Sequence, residues 1–498
     1  TMLPVNALCH HTVITTSACI PDESYNQRIP TSIVSLPVPL TRPWLWLALP
    51  GLSTFLLNAV TVHLSTDVTP VPMMWVLLLT AFLFSYILGF SNLGDKGLII
   101  WTGLAVIVLL CAAFISGLRG GRAFLPNLSS GVMLVLICCT FLHAWLYRIR
   151  PEASHLTHFY LCIAAGGALG GACASLIAPV VFSRVWEYPI ALIAACGFSA
   201  WLIHVWDHPE VRGLNRFLLV LCGISVLLIS KQATKGSGSV INRSRNFYGC
   251  LRVDKDTVTT SFGDPITLIK LCHGDTLHGM QFHDRFLKDK PTTYYGPKGG
   301  GVAISSHPQF ASGQPLRVGL IGLGAGTMAV YGRTNDFYRF FEINPAVVSI
   351  ATNTNFFTFI ADSAAQVDFV MGDARKKLEQ ERTRQEPLYD VLVVDAYSGD
   401  SVPLHLATRE AFQLYLDRLA PDGTLAVHIS NWHIDLAPLC KAVASLFNLN
   451  AQGVISGPDR LTNVSYWVYF SRHTKCAVGT GSQEFNWDEI RSVVLPYD

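Results

Sequence analysis

Charge is scarce in this chain. Lys, Arg, Asp and Glu make up 14% of its 498 residues and balance to a formal net charge of +2. No basic stripe interleaved with aromatics is present, which argues against nucleic acid as a partner, because affinity for phosphate comes from clustered Lys and Arg. Ordered cysteine spacing is lacking as well. Of 13 cysteines, seven fall inside apolar runs, while Cys250, Cys272, Cys440 and Cys476 are isolated and form no Cys-x-x-Cys pair. No disulfide framework or structural metal site is therefore expected, and a reducing compartment fits best. Residues 1–41 lack both a sustained apolar run and the basic start, apolar core and cleavage site of a signal peptide, so they read as an extramembrane segment.

Apolar sequence, by contrast, is abundant. Half the residues are hydrophobic and the mean hydropathy is +0.37. Apolar runs occupy Pro43–Leu64, Met73–Phe90, Leu98–Leu118, Val132–Ile149, Phe159–Phe182 and Pro189–Trp206. Each is about 20 residues long, the length that crosses a bilayer as a helix. A seventh run, Phe217–Ile229, is shorter and is read as a short span. Residues 42–230 are thus expected to form a helical membrane domain of about seven spans. Small residues recur every three or four positions from Ala164 to Ala174, the spacing that lets helices approach closely. Charges are almost absent from the runs, and His63 and His143 read as satisfied polar groups rather than proton carriers. The distribution of Arg and Lys around the runs leans toward a soluble half on the inner side.

Beyond the bundle the composition changes. Residues 231–246 contain a Gly-Ser stretch and read as a linker. Residues 247–310 read as a small β-subdomain, with short strands at Phe247–Val253, Thr257–Phe262 and Thr267–Leu271. Its loops, His273–Gln281 and Pro291–Gly296, carry polar aromatics and an amide suited to covering a ligand. Residues 311–498 read as an α/β domain of Rossmann-like type.

Four motifs in that last domain follow one another in the order a nucleotide site requires. Val318–Thr327 is an apolar strand running into Gly322, Gly324 and Gly326, with an apolar helix expected over Met328–Tyr331. Glycines let the backbone turn sharply and approach a ligand closely. Glu342 ends a second strand about 20 residues later, where a ribose diol needs a carboxylate acceptor. Asp373 ends a third strand, Val367–Asp373, and Asp395 ends a fourth, Tyr389–Asp395, whose nearly continuous apolar run marks it as buried on both faces. Four carboxyl-end loops thereby converge on one crevice. Because the third glycine follows the second after a single residue, the loop is closer to that of adenosyl-sulfonium enzymes than to a dinucleotide loop.

From Val318 to Asn431 these residues resemble the spermidine synthase family of aminopropyltransferases. The half from Pro43 to Trp206, with Leu156–Tyr160, Gly166–Gly171 and Trp186–Pro189, resembles bacterial membrane proteins labelled fused transporter and spermidine synthase. The resemblance implies a multi-pass α-helical membrane domain, a small β-subdomain and an α/β Rossmann-like domain of the S-adenosylmethionine methyltransferase type. It implies decarboxylated S-adenosylmethionine, or S-adenosylmethionine, as substrate. Gly322, Gly324 and Gly326 would lie at the nucleoside, Glu342 on the ribose hydroxyls, Asp373 with Ala374 at the adenine edge, and Gln281 in the covering loop. Asp395 matches the family's catalytic aspartate and Tyr294 or Tyr295 its gate tyrosine, with no metal required. Two positions depart from the family pattern. Ala325 stands where the glycine loop carries an aspartate, and Ser398 where a second aspartate is expected, a role that Asp400 would fill. His405 and His428 are further candidates for proton transfer.

The expected activity is a membrane-anchored aminopropyltransferase of polyamine biosynthesis, acting on a putrescine-like amine and releasing methylthioadenosine. Alternatives are a lyase that breaks S-adenosylmethionine without an amine acceptor, methyl transfer, and a non-catalytic ligand sensor on a transporter-like bundle. The lipid bilayer is the expected partner, and the family resemblance suggests a homodimer. The expected location is the bacterial inner (cell) membrane with the catalytic half in the cytoplasm.

Overall fold

The computed structural model describes residues 43–66, 72–116, 124–205, 212–234, 239–259, 264–274, 276–396, 403–431, 434–459, 461–472 and 482–484. Asp400 and residues 1–41 lie outside them.

Apolar runs become helices because a chain leaving water can satisfy its backbone N–H and C=O groups internally only as a helix or closed barrel. Among the described residues, six helices are long and apolar enough to cross a membrane: Trp44–Ser65, Leu98–Ile115, Leu125–Arg148, Ala153–Val181, Glu187–Val205 and Arg212–Ala233. A shorter apolar helix, Met73–Gly89, packs beside the third of these. The expectation that Phe217–Ile229 forms a short span is corrected, since the helix there runs from Arg212 to Thr234. Polar residues at both ends continue the backbone hydrogen-bond ladder past the apolar run that made the span look short.

Close packing of Trp44–Thr66 against Leu156–Ala172 depends on glycine. A Cβ on Gly166 would lie 2.2 Å from the Leu47 carbonyl oxygen, and one on Gly170 would lie 2.0 Å from that of Gly51. Small residues four apart thus let two backbones touch, as the spacing predicts. Further along, residues Cys173–Ile177 widen into a π-helical turn just before Pro179, which has no N–H to continue the ladder. His143, within the bundle, is bonded through Nδ1 to Ser85 Oγ at 3.0 Å and through Nε2 to Ser53 Oγ at 3.1 Å. It is a satisfied polar group, as expected.

The linker expected over residues 231–246 is also corrected. Helix continues to Thr234, and β1 (Val240–Asn246) pairs antiparallel with β2 (Gly249–Thr259). Ladder pairing, which composition does not reveal, recruits those residues. β3 (Pro265–His273) and β4 (Thr276–His283) complete a four-stranded antiparallel sheet in the order β1-β2-β3-β4.

The second sheet comprises β5 (Arg317–Ile321), β6 (Phe337–Glu342), β7 (Gln366–Met371), β8 (Tyr389–Val394), β9 (Leu419–His428), β10 (Asn450–Ser456), β11 (Ser465–Ser471) and β12 (Ser482–Glu484). Its order is β12-β10-β11-β9-β8-β5-β6-β7, with β5 to β9 mutually parallel and β11 antiparallel to its neighbours β9 and β10. This is the Rossmann-like arrangement of the methyltransferase type. Strand order reverses beside β5, so the crevice at a topological switch point opens between the carboxyl ends of β5 and β8. Buried side chains cover both faces of the sheet, including Val391, Leu392 and Val393 of β8.

One strand joins the two halves. The Arg245 guanidinium on β1 grips the Glu187 carboxylate with two hydrogen bonds, of 3.1 and 2.5 Å, and donates to the Arg184 carbonyl at 3.1 Å. Glu187 is fully buried at the start of the apolar helix Glu187–Val205. The next residue, Asn246, donates to Asn344 Oδ1 at 2.6 Å beside the end of β6.

Two outcomes follow from this packing. Gly170→Leu is expected to destabilise the detergent-solubilised protein by about 1–3 kcal/mol or more through overpacking, while Gly223→Leu, at a position with nothing within 4 Å, serves as the silent control; thermal unfolding of both compares them. Arg245→Ala strands a buried carboxylate and is expected to cost about 3–5 kcal/mol, again read from thermal unfolding, with Glu187→Gln in the same chain restoring part of the loss.

Candidate active site

The glycine loop leaves β5 with Gly322, Gly324 and Gly326 at φ values of +101°, +55° and +81°. This left-handed region favours glycine. Neighbouring backbone adds a second constraint: a Cβ on Gly322 would lie 2.2 Å from Asp395 O, and one on Gly324 would lie 2.7 Å from His278 O. The loop is therefore clasped between the end of β8 and strand β4. The helix expected over Met328–Tyr331 is corrected to a 3₁₀ turn, Thr327–Tyr331, halted by Gly332. So short a turn has no helix dipole to offer a pyrophosphate. The loop suits a nucleoside without a diphosphate better than a dinucleotide.

Glu342 holds the loop in place. Its two carboxylate oxygens accept the N–H groups of Leu323 at 3.1 Å and Asn344 at 2.8 Å. Burial pushes its carboxyl up, and those N–H groups oppose the shift. The Ile343 N–H also bears on this carboxylate, and the lone-pair capacity that remains can accept from a hydroxyl.

Asp395 lies where β8 ends. Its Oδ2 accepts the Tyr295 hydroxyl at 2.6 Å, and its Oδ1 meets His428 Nδ1 at 2.8 Å. Burial alone would raise this carboxyl, but the His428 ring, its hydrogen bond and the Tyr295 hydroxyl outweigh burial and hold it below the usual carboxylate range. Burial and the nearby carboxylate push the Tyr295 phenol well above its ordinary value. The Tyr295 oxygen also lies 3.5 Å from the Cβ position of Gly324, so it sits between the glycine loop and Asp395.

The loop carrying both tyrosines is pinned from several sides. Trp467 Nε1 donates to Tyr294 O at 3.1 Å and the Tyr331 hydroxyl to Tyr295 O at 2.7 Å. Thr292 Oγ1 donates to the Met280 carbonyl, which ties the loop to β4. Of the two gate candidates, Tyr295 bonds Asp395, while the ring of Tyr294 lies 5.1 Å from that of His428. His278, on β4, is pushed down to about 4 by burial and is neutral at neutral pH.

Other expected site residues have different surroundings. Asp373 caps the helix Ala374–Thr383 through the Lys376 N–H at 3.0 Å, and its other oxygen meets His405 Nε2 at 2.8 Å. Ala374 opens that helix. Gln281 is buried, with its amide committed to Lys288 O, Thr358 Oγ1 and the Thr358 N–H. Ala325 is fully buried, and a Cβ on Gly279 would lie 2.5 Å from its methyl carbon. An apolar cavity of ≈ 40 Å³ lies beside His428, lined by Val394, Ala396, Val427, Ile429 and Cys440 among others. Among the described residues, no group of His, Cys, Asp and Glu is arranged to hold a metal.

Sequence reasoning ranked His428 low and did not single out Ser430. His428 Nε2 meets Ser430 Oγ at 2.8 Å, and that oxygen accepts the Tyr466 N–H at 2.9 Å. The signal that was available is a His-x-Ser at the end of the strand beside the Asp395 strand.

Comparison with known proteins found no matching family model and no matching curated protein. Among solved structures, the chain is similar to a spermidine synthase from Thermotoga maritima, with 15% identity over 48% of this chain and 74% of that one and a TM-score of 0.36. It is similar to a probable spermidine synthase from Corynebacterium glutamicum, with 16% identity over 52% of this chain and 97% of that one and a TM-score of 0.37. A third is a spermidine synthase in complex with the transition-state analogue AdoDATO, with 16% identity over 48% and 73% and a TM-score of 0.33.

If Glu342 fastens the glycine loop, Glu342→Gln leaves a buried N–H facing an amide NH₂ and is expected to cost about 1–3 kcal/mol. Chemical denaturation of the full chain measures this, and a loss under about 0.5 kcal/mol, the usual size of a silent surface change, would assign the loop's position to other contacts.

Proposed function

We propose that the chain is a membrane-anchored transferase that binds decarboxylated S-adenosylmethionine or S-adenosylmethionine and passes an aminopropyl group to an amine, releasing methylthioadenosine. The observation behind this reading is the meeting of the glycine loop with an ionised carboxylate that is bonded to Tyr295 and His428. A sulfonium and a protonated amine are both cations, and a largely desolvated carboxylate attracts both to one crevice. The amine must also lose a proton before its nitrogen attacks carbon, which calls for an acceptor within hydrogen-bond reach. Glu342 would take the ribose hydroxyls with the lone pairs left after it holds the loop. The reading puts the six apolar helices in a cell membrane and the catalytic half in the cytoplasm, where the unpaired Cys250, Cys272 and Cys440 stay reduced.

A second reading, cleavage of S-adenosylmethionine without an acceptor, draws on Ala325. A packed methyl stands where the family carries an anchoring aspartate, so one attractive partner for the ligand's amino group is missing.

The deciding experiment incubates the detergent-purified full chain with either sulfonium, with and without putrescine, and identifies every product by mass spectrometry. Methylthioadenosine together with an aminopropylated amine is expected, with a loss of about 10²-fold or more in Asp395→Asn. Methylthioadenosine without an amine adduct would replace the transferase with the lyase. Binding without turnover would leave a ligand sensor.

A further inference from the structure

Asp395, His428 and Ser430 form one hydrogen-bonded line. Asp395 Oδ1 and His428 Nδ1 are 2.8 Å apart, and His428 Nε2 and Ser430 Oγ are 2.8 Å apart. His428 is almost fully buried, while Ser430 is partly exposed, so the line runs from the protein interior toward solvent.

The protons in this line can be assigned. Asp395 is held ionised, so it only accepts, and His428 Nδ1 must carry the proton between them. In the neutral ring Nε2 then has a lone pair, which the Ser430 hydroxyl donates to. The Tyr466 N–H donates to Ser430 Oγ at 2.9 Å, which agrees with that oxygen accepting on its other side. Trp467 stacks on the imidazole at 4.5 Å and 21°, and the Tyr294 ring lies at 5.1 Å, so the plane of the ring is fixed.

Building on the transferase reading, we propose that His428 is the base of this site, that Ser430 is the hydroxyl that meets the acceptor amine, and that Asp395 positions the imidazole. The arrangement is one in which an imidazole held by a carboxylate takes a hydroxyl proton. The ammonium of the acceptor passes a proton to Ser430 Oγ as the Ser430 proton moves to His428 Nε2. The nitrogen lone pair then bonds to the carbon beside sulfur. The C–S bond breaks, and its electron pair leaves on the sulfur of methylthioadenosine. The imidazolium, paired with Asp395, returns its proton through Ser430 to water.

The other titratable groups around the ring do not take over this task. His278, facing from β4, is a weaker base than an ordinary imidazole because burial pushes it down to about 4. Tyr295, facing from the 291–301 loop, is pushed up and donates to Asp395, and Tyr294 faces the ring from the same loop. Asp395, at the end of β8, is held below the usual carboxylate range and is a poor resting place for a proton.

The test has a spectroscopic arm and a kinetic arm, both on the full chain in detergent. Histidine-selective isotope labelling and NMR, with the His428 signal identified by its loss in His428→Gln, is expected to show that the neutral form of the ring carries its proton at Nδ1. Asp395→Asn should then redistribute that proton. A ring protonated at Nε2, or a signal indifferent to Asp395→Asn, overturns the relay whether or not the chain is a transferase. In the kinetic arm, the rate of methylthioadenosine release with an amine is followed against pH. His428→Gln is expected to lower kcat by about 10²-fold or more and to abolish the rising acid limb, with KM for the sulfonium changed by less than about threefold. Ser430→Thr should recover most of the rate lost in Ser430→Ala. A retained acid limb in His428→Gln, or equal losses in the two Ser430 variants, overturns the relay. If the unaltered protein releases no methylthioadenosine with any amine, the transferase reading falls, and the NMR result alone decides whether His428 holds the stated proton.

Discussion

A carboxylate largely withdrawn from water at the end of a central parallel strand has to be solvated by the protein if it is to stay charged, and much of the soluble half is arranged to do that for Asp395. The Tyr295 hydroxyl and the His428 ring take one oxygen each. Holding Tyr295 there requires the 291–301 loop, which is pinned in turn by Trp467 and Tyr331. Close approach to the Asp395 backbone requires a glycine at 322. Glu342, one strand beyond β5, then holds that glycine loop through Leu323. Removing the charge at Asp395 would therefore leave donors from two further segments of chain without their acceptor, which is more expensive than the loss of a single hydrogen bond.

The apolar helical half is organised by a different constraint. Its helices, long and apolar enough to cross a membrane, pack through contact area and backbone proximity. Gly51, Gly166 and Gly170 provide that proximity. The soluble half is tied to the bundle through adjacent residues of β1, with Arg245 on the buried Glu187 and Asn246 on Asn344 near the end of β6. Glu342 is two residues from Asn344 and accepts its N–H. A short covalent and hydrogen-bonded path thus runs from the start of the apolar helix Glu187–Val205 to the carboxylate that holds the glycine loop.

Much of this was legible in the sequence. Long apolar runs announced helices long and apolar enough to cross a membrane. Glycines followed by acids at strand ends announced the crevice, and the nearly continuous apolar run of β8 announced its central place. Four local features were misread, the first being the separation of Phe247–Val253 from Thr257–Phe262, since one strand runs from Gly249 to Thr259. Polar ends hid the length of the helix Arg212–Thr234, pairing with β2 claimed residues 240–246, and Gly332 stopped the expected helix after one 3₁₀ turn. In the last two, a neighbouring strand or a single breaking residue overrode composition.

The sequence by itself determined the order of the two halves, the glycine loop and the placement of Glu342, Asp373 and Asp395 at strand ends, because periodicity and turn chemistry act over a few adjacent residues. Tertiary structure alone decided which partners those acids have. Asp373 caps a helix and meets His405, whereas Asp395 faces Tyr295, 100 residues earlier, and His428, 33 residues later. Hydrogen bonds of that span are set by which strands lie side by side in the sheet, and no spacing along the chain encodes that adjacency.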